Sequence, residues 1–191
     1  MKKFIIILPF VLGFIVAGCA KPPVDEMNKA QDAVIRAEND ADAVTYAGTT
    51  LIRAREALTK MQSEADAKRY EAAKDLAAEA VSNAEKAIED GKTGAVRARD
   101  EATNLISSLA GPLEETAKSL EAAKHVQNIK LDFDALSVDM DTARKDYDDA
   151  RQSLLAGNYR DSSAKSQTVR SLLAGINARI TDAAQAESRK R

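Results

Sequence analysis

Residues 70–87 read YEAAKDLAAEAVSNAEKA. Tyr70, Ala73, Ala77, Ala80, Ala84 and Ala87 recur at spacings of three and four, which places them on one stripe of an α-helix. Almost every inward position is alanine. Alanine has the best helix propensity and lets backbones approach closely, but each one buries little area. The spacing therefore predicts a slim helical hairpin. Upstream, the chain is expected to turn near Asp66 to Arg69. The preceding helix carries its stripe on Leu51, Ala54, Leu58, Met61 and Ala65, with Thr49 and Thr50 as capping residues. Before it, Met27, Ala30, Val34, Ala37, Ala41 and Val44 form a first stripe, which Gly48 interrupts.

Downstream, Gly91 and Gly94 weaken the third helix, since each glycine costs about 1 kcal/mol relative to alanine. Ala95, Ala98, Ala102, Leu105, Ile106 and Leu109 indicate continuation or a kink. Gly111-Pro112 reads as a boundary, with glycine past one helix end and proline at the next start. A second unit is expected there. Pro23-Val24-Asp25-Glu26 compares with Pro112-Leu113-Glu114-Glu115, and the same shift of 89 residues aligns Ala54-Arg55 with Ala143-Arg144 and Tyr70 with Tyr159. The second unit repeats the stripes on Leu136, Met140, Ala143, Tyr147, Ala150 and Leu154, then on Tyr159, Ser162, Ser166, Val169, Leu173, Ile176, Ile180 and Ala183. A duplicated helical unit follows, with the division 1–18, 19–24, 25–110, 111–187 and a charged tail at 188–191.

Composition agrees with an all-α fold of elongated antiparallel hairpins or a bundle with heptad-like packing. Of the residues 45% are hydrophobic but only 4% aromatic, with no Trp, and the Val/Ile/Thr runs of a strand-rich protein are missing. Removing Lys2 and Lys3 with residues 1–18 leaves 26 basic residues against 30 acidic ones, a formal net charge of −4. No basic stripe stands out, so nucleic-acid binding is not expected. An apolar stripe left unsatisfied in the monomer would pair with another copy, giving a homo-oligomer.

The amino-terminal segment sets the expected location. Lys2 and Lys3 precede an apolar run from Phe4 to Ala17, too short for a comfortable permanent span. Val16-Ala17-Gly18-Cys19 resembles the lipobox of bacterial lipoproteins. The resemblance implies cleavage before Cys19, a thioether link from Cys19 to diacylglycerol, and acylation of the new amino group. No cofactor besides this covalent lipid is expected. Residues 19–24 would then form a lipidated tether, extended by Pro22 and Pro23. Ala20 stands where proteobacterial sorting would read aspartate as an inner-membrane signal, so the resemblance favours the outer membrane, facing the periplasm. Cys19 is the only cysteine, which excludes an intrachain disulfide, and no histidine neighbours it to make a reactive thiol.

Tyr46-Ala47-Gly48-Thr49-Thr50-Leu51-Ile52-Arg53-Ala54, followed by the Tyr70 to Ala87 stripe, resembles the alanine-rich repeat of bacterial lipoproteins carrying the domain of unknown function 4398. Gly48 stands where that family often has proline. The turn Gly157-Asn158-Tyr159 also resembles that of tetratricopeptide hairpins. The resemblance implies an envelope location and a helical hairpin, and some relatives join such a region to a peptidoglycan-binding domain. It implies no reaction.

Other motifs carry little chemistry. Gly91-Lys92-Thr93 imitates the end of a phosphate-binding loop, but the required earlier glycine falls at Lys86 and no strand precedes it. Asp132, Asp134, Asp139, Asp141, Asp146, Asp148 and Asp149 form an acidic region without the sharp glycine turn of a calcium loop, so a solvated helix face is expected. His125, the only histidine, lacks companions for a metal site and a partner for acid/base work. Tyr70 and Tyr159 read either as markers of a groove or as residues packing against the opposite helix. No catalytic or metal residues are assigned, and an enzyme is not expected.

Three readings of function follow. The first is a lipid-anchored envelope scaffold or adaptor, held to a membrane and binding another envelope protein or peptidoglycan. The second is a periplasmic carrier or chaperone for an apolar ligand. The third is a surface-displayed antigen or adhesin.

Overall fold

The computed structural model describes residues 21–127 and 129–189. Val16, Ala17, Gly18 and Cys19, with the other residues of 1–20 and residues 190–191, lie outside the described residues. Six helices follow in order: α1 (Val24–Asn39), α2 (Ala41–Tyr46), α3 (Gly48–Asp66), α4 (Tyr70–Lys124), α5 (Phe133–Leu155) and α6 (Tyr159–Ser188). No strand occurs among the described residues, and the fold is all-α.

The alanine stripe produces the longest element. Helix α4 has 55 residues, a length of about 80 Å. Its first half packs with α1, α2 and α3, its second half with α5 and α6. Directions follow from the cross-links. Thr50 Oγ1 donates to Asp90 Oδ2 at 3.0 Å, so α3 runs back along α4. The α2 backbone at Ala43 lies against Gly91 and Tyr46 lies against Gly94, so α2 runs with α4. Asn177 Nδ2 donates to Thr116 Oγ1 at 2.8 Å and Arg170 to Ser108 Oγ at 3.4 Å, making α6 parallel to α4. Arg179 reaches Asp139 at 3.0 Å, making α5 antiparallel to α6. Two up-down-up sets thus stand end to end on one shared helix.

Each set has its own core. One contains Ala30, Val34, Leu51, Met61 and the α4 alanines from Ala73 to Ala87; the other contains Leu109, Leu120, Leu136, Met140, Val169, Leu173 and Ile176. The shift of 89 residues carries most buried positions of α3 and of the first part of α4 onto buried positions of α5 and α6, whereas Ala30, Ala33 and Ala37 of α1 fall on exposed residues. Ala73, Ala77, Ala80, Ala84 and Ala87 correspond to Ser162, Ser166, Val169, Leu173 and Ile176, all buried. The turns correspond too: Lys68, with φ 60°, matches Gly157, with φ 80°.

Three sequence expectations are corrected. The first stripe does not pass through Ala41 and Val44, which are exposed, but through Ala43 and Ala47. Asp40 breaks the register: its extended backbone ends α1, and its Oδ1 accepts the Ala43 N–H at 2.8 Å to begin α2. Thr49 and Thr50 do not cap α3, whose cap is Ala47 without a side-chain bond; Thr50 is turned to Asp90 instead. Finally, no helix ends at Gly111-Pro112. Helix α4 runs through both and stops at Lys124. Proline removes the donor for the Ser108 carbonyl and costs about 3 kcal/mol in a helix interior. Ser108 and Pro112 are both exposed, on the watered side of the helix, while Leu109, Thr116 and Leu120 on the other side are buried beside α5 and α6. That packing on both flanks offsets the loss.

Substitutions of glycine and serine check this packing. A Cβ on Gly91 would lie 2.5 Å from the Ala43 backbone nitrogen, whereas one on Gly175, exposed within α6, would meet nothing within 4 Å. Gly91→Ala is expected to destabilise the protein by about 1–3 kcal/mol, and Gly175→Ala to stabilise it by about 0.5–1 kcal/mol; thermal melts followed by circular dichroism separate the two signs. The Ser162 hydroxyl is fully buried with no hydrogen-bond partner among the described residues. Ser162→Ala, which copies its counterpart Ala73, should raise the melting temperature through a gain of about 1 kcal/mol.

Candidate functional site

Where the two sets meet, α4 narrows to glycine so that another element can touch it. Gly94 has no side chain in the place occupied by the Tyr46 Cβ, which would lie 2.5 Å from a Cβ there. Tyr46 is the last residue of α2, and its ring is held between α4 and the start of α6. The Arg160 guanidinium, in the first turn of α6, lies 5.1 Å from the centre of that ring. Its Nη2 donates to the Thr45 carbonyl, a bond across 115 positions of sequence. Burial raises the Tyr46 hydroxyl above its ordinary pKa; Arg160 opposes this, while Asp42 and Tyr159 reinforce it. The phenol therefore stays protonated as a donor at neutral pH.

Hollows open on both sides of this contact. One of about 440 Å³ lies between α4 and α6 and is bounded by Tyr46, Arg97, Glu101, Tyr159, Arg160 and Gln167 above a floor of Gly94, Ala98 and Ala164. Another of about 360 Å³ lies on the α2 side, with Asp42, Asp161 and Tyr159 on its walls. Arg97 also borders a third, polar hollow of about 320 Å³ at the start of α3. Neither Arg97 nor Arg160 forms an ion pair within 4.0 Å among the described residues.

A serine–lysine pair lies nearby and is structural. Ser153 Oγ donates to Asp161 Oδ2 at 2.5 Å, and Lys165 Nζ donates to the same oxygen at 2.7 Å. Asp161 holds Lys165 above its ordinary pKa, chiefly through that hydrogen bond. A lysine kept protonated is no general base. The cluster instead ties the end of α5 to the first turn of α6.

The residues singled out in the sequence lie apart from one another. Tyr159 is at the joint, but Tyr70 begins α4 about 35 Å away; both are half-buried. His125 follows the last residue of α4, where its backbone N–H bonds to the Ala122 carbonyl, and it is exposed. Asp132 caps α5 by accepting from Ala135, Asp139 pairs with Arg179, and Asp141 pairs with Arg144 at 3.3 Å. No group of three or more His, Cys, Asp or Glu side chains is placed to hold a metal among the described residues. Tyr46 entered the sequence reading only as part of a repeat, and Arg97 and Arg160 not at all. The paired glycines at 91 and 94, one helical turn apart, are the signal that marks the contact.

A family model described as a domain of unknown function (DUF4398) matches residues 25–104. That span holds α1 to α3 and α4 as far as Asn104, and so contributes Tyr46, Gly94 and Arg97 but not Arg160. Among the curated proteins and the solved structures nothing matches this chain.

The α5–α6 turn gives a pH prediction. Hydrogen bonds from Lys165 and then Ser153 hold Asp161 below the usual carboxylate range. A lowered folded pKa means that the contribution is complete above the unfolded value, about 3.9, and is lost as pH falls through the folded one. Asp161→Asn should therefore melt below the wild type at pH 7, by a modest margin because the group is exposed. The margin should close in melts recorded progressively below about pH 4.

Proposed function

We propose, from the premise that residues 25–104 belong to the DUF4398 family, that the protein is a lipid-anchored cell-envelope scaffold or adaptor. The observation that carries the reading is α4: a single helix of 55 residues with a bundle on each half. Such a rod does the work of a spacer. Its described chain begins at Lys21 beside two prolines, and the joint lies farther along α4, on the order of 30 Å from the level of α1's start. A membrane attachment near residue 19 would hold the joint at a set height, where another envelope protein or peptidoglycan can reach it.

Cys19 supplies that attachment in this reading. Acyl burial contributes roughly 0.8 kcal/mol per CH₂, so one chain holds a protein reversibly and two or three hold it durably. No described helix is long and apolar enough to cross a membrane. The residues before Cys19 support an outer-membrane, periplasm-facing site through their likeness to a lipobox, with Ala20 next to the anchor.

Mass spectrometry of the protein taken from its native membrane should find Cys19 acylated, and Cys19→Ala should move the protein from the membrane to the soluble fraction. Cross-linking in cells before capture should return a reproducible envelope protein or muropeptide. Unmodified Cys19 would sink the anchor. Acylation with a co-purified lipid and no protein partner would favour the carrier, and cleavage by protease on intact cells the displayed antigen.

A further inference from the structure

We propose that the hollow between α4 and α6 at the joint binds the free carboxylate of a short peptide. Its volume of about 440 Å³ falls within the range of small-ligand sites. Two guanidiniums border it, from Arg97 and Arg160, and neither is committed to a carboxylate within 4.0 Å among the described residues. Arg160 spends one N–H on the Thr45 carbonyl and keeps further donors of its five. The planar fork of an arginine matches a carboxylate with two parallel hydrogen bonds.

The remaining walls choose among anions. Glu101 on the same rim repels a dianion such as phosphate, while it accepts a hydrogen bond from a peptide N–H or an amine. Gln167 and Ser163 offer further partners for a peptide backbone. The floor of Gly94, Ala98 and Ala164 is apolar and small, which suits a methyl-sized side chain next to the carboxylate. Tyr46 and Tyr159 also line the hollow, and their hydroxyls can donate. The proposal rests on the adaptor reading, since it names the chemical group by which the partner is held.

The test is calorimetric titration of the full chain in detergent with N-acetyl-trialanine, its carboxyl-terminal amide, the same peptide ending in two D-alanines, and inorganic phosphate. One or both free-carboxylate peptides should bind at least tenfold more tightly than the amide and the phosphate. Preference for the L-peptide points to a protein carboxyl terminus as the source, and preference for the D-peptide to a cell-wall stem. Among the described residues Arg97 makes no hydrogen bond, so Arg97→Gln should keep the melting temperature and weaken binding at least tenfold. Glu101→Gln should raise the affinity of both anions, and that of phosphate by the larger factor. Equal binding of acid and amide, an Arg97→Gln protein that binds as tightly as wild type, or no binding at millimolar peptide would each overturn the site. Peptide binding without a captured partner in cells would fell the adaptor reading and leave the site, and capture without peptide binding would do the reverse.

Discussion

Arg160 makes the one hydrogen bond by which the helices after α4 hold those before it, among the described residues. Apart from that bond and the stacking of Arg160 on the Tyr46 ring, the two bundles are related through α4. A single helix 80 Å long bends gently under modest load, so the angle between the bundles depends on what pins them beside it. The pin is layered: Gly94 admits the Tyr46 side chain, the ring offers its face to the guanidinium, and the guanidinium reaches past it to the Thr45 carbonyl. Each layer needs the one beneath. A side chain at 94 would lift Tyr46, and a lifted Tyr46 would remove the surface on which Arg160 lies.

The two bundles solve the same packing problem with different side chains. In the first, alanine at nearly every buried position of α4 gives each residue little area to bury, so stability comes from close backbone approach and helix propensity summed over many turns. In the second, the matching stretch of α6 carries two serines and then Val169, Leu173 and Ile176, so burial per residue is greater where the helix leaves the joint. The serines keep the small size that the joint end demands. Ser166 satisfies its hydroxyl on the Ser162 carbonyl one turn back at 2.8 Å, whereas Ser162 Oγ has no such outlet. At the edge of the second core, exposed Asn177 donates to buried Thr116, a polar pair that helps to specify the register of α6 on α4.

Periodicity made the helices legible, because a stripe of alanines at three and four has no other regular reading. It revealed the turns at Lys68 and Gly157 and most buried positions between them. It failed where one residue changed the phase. Asp40 sits between two helical patterns, and only its bond to the Ala43 N–H tells that the chain restarts there. The opposite failure occurred at Pro112, where a strong local stop signal lost to burial on both flanks. The candidate site was illegible for a third reason. Tyr46 and Arg160 are brought together by the length of α4 and the return of α5, and nothing local to either residue encodes the other.

The likeness between the two halves of the chain stops at the joint. Under the shift of 89 residues Gly91 corresponds to Ile180 and Gly94 to Ala183, so the second copy lacks the bare strip of helix that α2 requires. The chain there has no counterpart of α2: residues 129–132 are irregular, and Leu131 and Phe133 pack with Ile180 against the second core. Where the first bundle leaves a groove for a short helix, the second fills it with its own side chains. The difference confines the close approach, the two arginines and the hollow beside them to one level of the rod, where a partner could meet α4 and α6 at once.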